Sequence, residues 1–133
     1  MSAIIEEIKR KSDLFFENGA SDADIRDSEK ALGLLFAEEY KEYLQQFGAV
    51  SCGGHELTGI SRDNNYDVVN VTLLNLQKNS EITIPLYVIE ETHIDGIVIW
   101  QASTGEIYQS EYKKVPLKIY DSLLDYVSTF KNS

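Results

Sequence analysis

Residues 25–48 read IRDSEKALGLLFAEEYKEYLQQFG, and their periodicity decides the fold class. Tyr40, Tyr43, Leu44 and Phe47 fall at i, i+3, i+4 and i+7. That spacing puts four large side chains on one helical face and leaves Glu38, Glu39 and Glu42 on another. Gly48 supplies the stop, because glycine tolerates the left-handed backbone that follows a helix. Just upstream, Ile25 and Leu32 mark one face of a shorter helix. It starts at a capping-box-like pair, Ser21 and Asp24, and ends at Gly33. The link Leu34-Leu35-Phe36 joins the two helices, each with a core face and a charged face.

Toward the N-terminus, Ile4, Ile5, Ile8, Phe15 and Phe16 recur at helical spacing, which predicts a helix over roughly 3–18 closed by Asn18-Gly19. Toward the C-terminus the period changes at Ala49. Gly53-Gly54, Gly59 and the polar run 61–65 bracket short extended pieces around 49–52 and 55–60, which predict a hairpin. Residues 67–78 (DVVNVTLLNLQK) carry strand-favouring valines, but they run without Gly or Pro behind a capping Asp67, so a helix is expected. PLYVIEE, GIVIWQ and EIYQS, separated by turn residues, read as consecutive antiparallel strands. Leu123, Tyr126, Val127 and Phe130 predict a terminal helix of about three turns after Asp121 or Ser122. The expected fold is α+β: a mostly antiparallel sheet of about five or six strands packed against N-terminal, middle and C-terminal helices, in a single domain over 1–133.

With 22 acidic against 12 basic residues, the 133-residue chain carries a formal charge of -10. That sign repels phosphate backbones and anionic lipid, so no direct contact with nucleic acid or membranes is expected. Cys52 is the only cysteine, which forbids an internal disulfide and fits a reducing compartment. The N-terminal stretch has glutamates among its apolar residues and no small-residue cleavage site, so no signal peptide is read and a cytoplasmic location is expected.

Few chemical constellations survive inspection. Cys52 and His55 are three apart, a spacing that aims them at opposite faces of an extended strand, so a buried thiol and a surface histidine are expected in preference to a nucleophile and its base. Asp63, Asn65 and Asp67 open like a calcium loop, yet Val68 and Leu74 stand where such a loop needs glycine and a bidentate glutamate. The neighbours Glu38-Glu39 and Glu90-Glu91 diverge on any regular element. No catalytic residue, metal or cofactor is expected. Charge distribution is more telling. From Asn79 through Tyr112 there are six acidic residues and no Lys or Arg, and residues 13–43 hold nine acids against Arg26, Lys30 and Lys41.

Taken in order, Ile25, Glu29, Leu32-Gly33, Leu35, Tyr40, Tyr43-Leu44 and Gly48 resemble the SUKH superfamily of Smi/Knr-like proteins. Asp67-Val68-Val69, Pro85, Asp95-Gly96 and Gly105-Glu106-Ile107-Tyr108 extend the resemblance over nearly the whole chain. Phe36 departs from the proline that family members usually place there. The resemblance implies a non-enzymatic immunity protein that neutralises a cognate polymorphic toxin domain, here expected to be a nuclease, whose basic cleft carboxylates can occupy. The alternative it implies is a regulatory or scaffolding module that binds other proteins. The expected partner-binding surface is acidic and sheet-side, drawn from Glu56, Asp63, Asp67, Glu90, Glu91, Asp95 and Glu106, with Tyr66, Trp100 or Tyr108 as aromatic anchors. Oligomeric state is left open.

Overall fold

A computed structural model describes residues 2–131. Its elements run α1 (Ala3–Lys9), β1 (Phe15–Phe16), α2 (Asp22–Leu32), α3 (Glu38–Phe47), β2 (Val50–Cys52), β3 (His55–Glu56) and α4 (Val68–Lys78). They continue with β4 (Leu86–Glu91), β5 (Val98–Ala102), β6 (Ile107–Ser110), β7 (Leu117–Tyr120) and α5 (Leu123–Val127). The fold is α+β. Strands β1-β2-β3 form a small antiparallel sheet, and β4-β5-β6-β7 form an antiparallel meander.

The α2–α3 unit forms as its spacing requires. Ser21 and Asp24 make a full capping box, and Gly33 closes α2 in the left-handed region at φ 68°. Ala37 precedes α3 and has no side chain to cap it. The Glu29 carboxylate reaches forward instead and accepts the Phe36 N–H at 2.8 Å, a bond that a proline at this position could not donate. Tyr40 and Tyr43 stack with centroids 5.3 Å apart, and their hydroxyls satisfy buried backbone and hydroxyl groups. Tyr43 donates to the Thr58 carbonyl at 2.6 Å and accepts from the Val50 N–H at 3.1 Å, while Tyr40 lies 3.0 Å from Thr58 Oγ1.

Thr58 couples the two sheets. Its N–H donates to the Ile89 carbonyl at 2.8 Å and its hydroxyl to the Val88 carbonyl at 2.7 Å. Gly59, next along the chain, lies so close to Gly48 that an added Cβ would sit 1.7 Å from the Gly48 carbonyl oxygen. The large sheet is covered on both faces. Tyr87, Ile89, Ile99 and Ile107 join the main core with α1, α3 and α5, whereas Leu86, Val88 and Trp100 join a second core with Val71 of α4. That double burial explains why PLYVIEE is a continuous apolar run rather than an alternating one.

Three expectations are corrected. The first helix stops at Lys9 instead of reaching 18. Lys11 is buried, with its Nζ 3.2 Å from Glu7 Oε2 and donating to the Phe130 carbonyl at 3.3 Å, and the Asp13 carboxylate accepts the Gly53 N–H. Phe15 and Phe16 then pair with Ser51 and Val50 as a strand, so tertiary pairing overrides helical spacing. Second, β7 forms at Leu117–Tyr120, where no strand is expected, as the outer strand of the meander. Third, α5 spans Leu123–Val127. Beyond it, Thr129 and Phe130 N–H groups reach back only three residues, to Tyr126 and Val127, the tighter pitch of a 3-10 turn.

Candidate functional site

The ten residues expected at the binding surface occupy very different environments. Glu90 is buried. Its carboxylate accepts the Tyr126 hydroxyl and the Glu56 N–H and lies 2.9 Å from His55 Nδ1. Trp100 is fully buried, because its position on β5 points toward α4, and its indole N–H donates to Ser110 Oγ at 2.8 Å. Neither residue offers surface to a partner. Asp67 accepts the Ser61 N–H, and Glu91 accepts from Asn75 Nδ2 at 2.9 Å. Tyr108 lies opposite Lys118 across β6 and β7. Glu106 accepts the Thr104 hydroxyl, and that bond, with Lys118 nearby, holds its carboxyl below the usual range. Asp95 sits in the β4–β5 turn with positive φ.

What the fold does bring together is the outer face of the small sheet. Register places Phe15 opposite Ser51 and Ser51 opposite Glu56, one row across three strands. Residues in one row point the same way, and Phe15 is 70% exposed. The Glu17 N–H bonds to the Ala49 carbonyl, which continues the ladder and returns the Glu17 side chain to the face of Phe15. Tyr66, delivered by the loop before α4, leans on this row and donates its hydroxyl to Glu56 Oε2 at 2.6 Å. The carboxylate beside that hydroxyl raises the Tyr66 pKa above the ordinary tyrosine value. Phe15, Glu17, Ser51, Glu56, Leu57 and Tyr66 line a slot of about 110 Å³. Glu56 and Tyr66 also line a small depression with Glu91 and His93, so part of the expected acidic set is contiguous.

Sequence reasoning missed Phe15 and Glu17 because it assigned them to a helix. No local signal separated them: adjacent apolar residues can share one helical face, as Tyr43 and Leu44 do on α3, and only pairing with β2 sets one ring on the outer side. Phe16 packs edge-on against Phe47 with centroids 5.3 Å apart yet stays half exposed, and Phe15 on the other side of the strand is more open still.

Cys52 and His55 are direct partners flanking the two-residue turn Gly53-Gly54, both glycines having positive φ. They therefore share a face, contrary to the opposite-face expectation. The thiol is buried, and burial followed by the nearby Asp13 carboxylate pushes it up to about 11. It is protonated at neutral pH, where a nucleophile would need to be a thiolate. His55 is occupied elsewhere, stacked on Phe130 at 3.7 Å and bonded to Glu90.

Among the described residues, no group of three or more His, Cys, Asp or Glu side chains is placed to hold a metal, and no helix is long and apolar enough to cross a membrane. A cleft of about 380 Å³ lies between the end of α4 and the β4–β5 turn, where Lys78 and His93 oppose Glu91 and Glu111 over a floor of Val98 and Trp100. Its mixed charge contrasts with the uniformly acidic rim of the slot. Compared with known families, residues 1–129 match the family model SUKH_5, described as SMI1-KNR4 cell-wall. No curated protein matches the sequence.

Proposed function

The chain belongs to the SUKH_5 family of SMI1-KNR4 cell-wall proteins, and from that footing we propose that it is a non-enzymatic, cytoplasmic immunity protein that binds and neutralises one cognate polymorphic toxin domain, a nuclease. The observation that carries this reading is the outer face of the small sheet. A largely exposed phenylalanine lies beside Tyr66, with Glu17 and Glu56 alongside, on a protein of formal charge -10. An aromatic anchor ringed by polar groups is the usual composition of an interface hot spot. Carboxylates there complement the basic substrate cleft of a nuclease and speed encounter with it. Asp63, Asp67 and Glu91 remain candidates for the rim of that interface, Asp95, Glu106 and Tyr108 are candidates for contacts on the large sheet, and Glu90 and Trp100 hold the fold behind them.

The test is survival of cells that express the toxin domain encoded beside this gene, with and without the protein. Protection by wild type and its loss in a folded Phe15→Ala, Tyr66→Ala double variant is expected. Absence of any toxin gene nearby, together with capture of cellular proteins through the same face, would favour the regulatory module instead.

A further inference from the structure

The slot beside Phe15 has a shape and charge that select its occupant. Its volume of about 110 Å³ lies well below the 300–1,000 Å³ typical of small-molecule sites and suits a single inserted side chain. Its base is the chain at Ala49, Val50 and Leu57, all nearly fully buried, and its sides carry the Phe15 and Tyr66 rings with Glu17 and Glu56. Both carboxylates are held by one oxygen only. Glu56 Oε2 accepts the Tyr66 hydroxyl at 2.6 Å and Glu17 Oε2 accepts the Ser61 hydroxyl at 3.0 Å. Among the described residues no hydrogen bond or ion pair engages Oε1 of either. By contrast Glu7, Glu38, Glu111 and Asp121 each have a Lys or Arg within ion-pair distance. Arg62 lines the neighbouring depression with Phe15 and Glu17 but forms no ion pair with Glu17.

We propose that this slot receives one arginine side chain of a basic protein partner. The guanidinium lies against an aromatic ring while its N–H groups donate to the open Oε1 atoms of Glu56 and Glu17, and its methylene stem runs along the Phe15 and Tyr66 rings. Arginine fits better than lysine because its planar head stacks on aromatics, is more weakly hydrated and presents several donors in a fixed fork. An apolar side chain would leave both carboxylates desolvated without a counter-charge. This inference rests on the toxin-binding reading for the existence of a basic partner, and it adds which side chain is read and where.

The experiment titrates the full chain with N-acetyl-arginine amide, N-acetyl-lysine amide and N-acetyl-citrulline amide, followed by amide NMR shifts at two salt concentrations. Expected are saturable shifts concentrated at Phe15, Ser51, Glu56 and Tyr66 for the arginine probe. Lysine should bind several-fold more weakly and citrulline least. Phe15→Ala and Glu56→Gln should each weaken arginine binding at least about fivefold, and Glu38→Gln should leave it unchanged; thermal unfolding checks that each variant is folded. Shifts spread over the helical acidic face, or equal response to arginine and citrulline, would overturn the proposal. If Phe15 is required for protection from the toxin while the slot ignores arginine, this inference fails and the immunity reading stands. If arginine binds the slot yet the protein protects against no neighbouring toxin, the reverse holds.

Discussion

Glu90 sits where β3, β4 and α5 meet, and its carboxylate is the shared acceptor for Tyr126, His55 and the Glu56 backbone. Truncating it strands buried donors without partners. Glu90→Ala should therefore cost about 3 kcal/mol or more in denaturant unfolding, whereas Asp27→Ala, at an exposed position of α2, should stay within about 0.5 kcal/mol. Cys52 makes a second residue-level prediction. Its folded pKa of about 11 lies above the ordinary thiol value of 9.0, so the stability it contributes is complete below about pH 9 and is lost as pH rises through 11. Denaturant unfolding between pH 8 and 11 should show a decline that begins near pH 9 and starts later in Cys52→Ala. Thiol reagents at neutral pH should label the unfolded protein but scarcely the native one; rapid native labelling would mean that the thiol is exposed.

At the scale of elements, legibility followed the balance between local and distant forces. The helices α2 and α3 carry their own periodicity and caps or stops and form where spacing places them, while α4 forms as expected without the cap assigned to Asp67, whose carboxylate accepts the Ser61 N–H instead. Phe15 and Phe16 share helical spacing with the residues before them, yet Lys11, Asp13 and pairing with β2 draw that segment into a strand. Strand β7 was silent because its alternation, Leu117-Lys118-Ile119, is only three residues long behind Pro116, and on an outer strand all three side chains are exposed, so no core face marks it. The site suffered for the same reason: Glu56 and Tyr66 could be named from sequence, but the row that joins them to Phe15 exists only through register. Two substitutions probe this architecture. Phe47→Ala should cost about 3–5 kcal/mol, because the side chain is 1% exposed in the main core. Gly59→Ala should prevent stable folding, since its Cβ would fall 1.7 Å from the Gly48 carbonyl oxygen; a midpoint of unfolding unchanged from wild type would show that the close approach is absent.

Across the whole molecule, a formal charge of -10 attracts a basic partner from any direction, and local geometry decides where it docks. Two acidic faces compete: the small-sheet face of Glu17 and Glu56, and the exposed side of α3 with Glu38 and Glu42. Glu38 already pairs with Lys41 at 2.8 Å, and no exposed aromatic ring is among the residues of the groove it shares with α2. The small-sheet face offers carboxylates without ion pairs beside a largely exposed ring. The deciding measurement is the affinity and association rate of the neighbouring toxin domain for Glu17→Lys, Glu56→Lys and for Glu38→Lys, Glu42→Lys, at about 0.1 M and 1 M salt, where the screening length falls from about 10 Å to about 3 Å. Reversal on the small sheet should weaken binding at least about tenfold and flatten the salt dependence of association, while reversal on α3 changes affinity by no more than about twofold. Undiminished binding by the folded small-sheet variant, with loss in the α3 variant, would contradict the account.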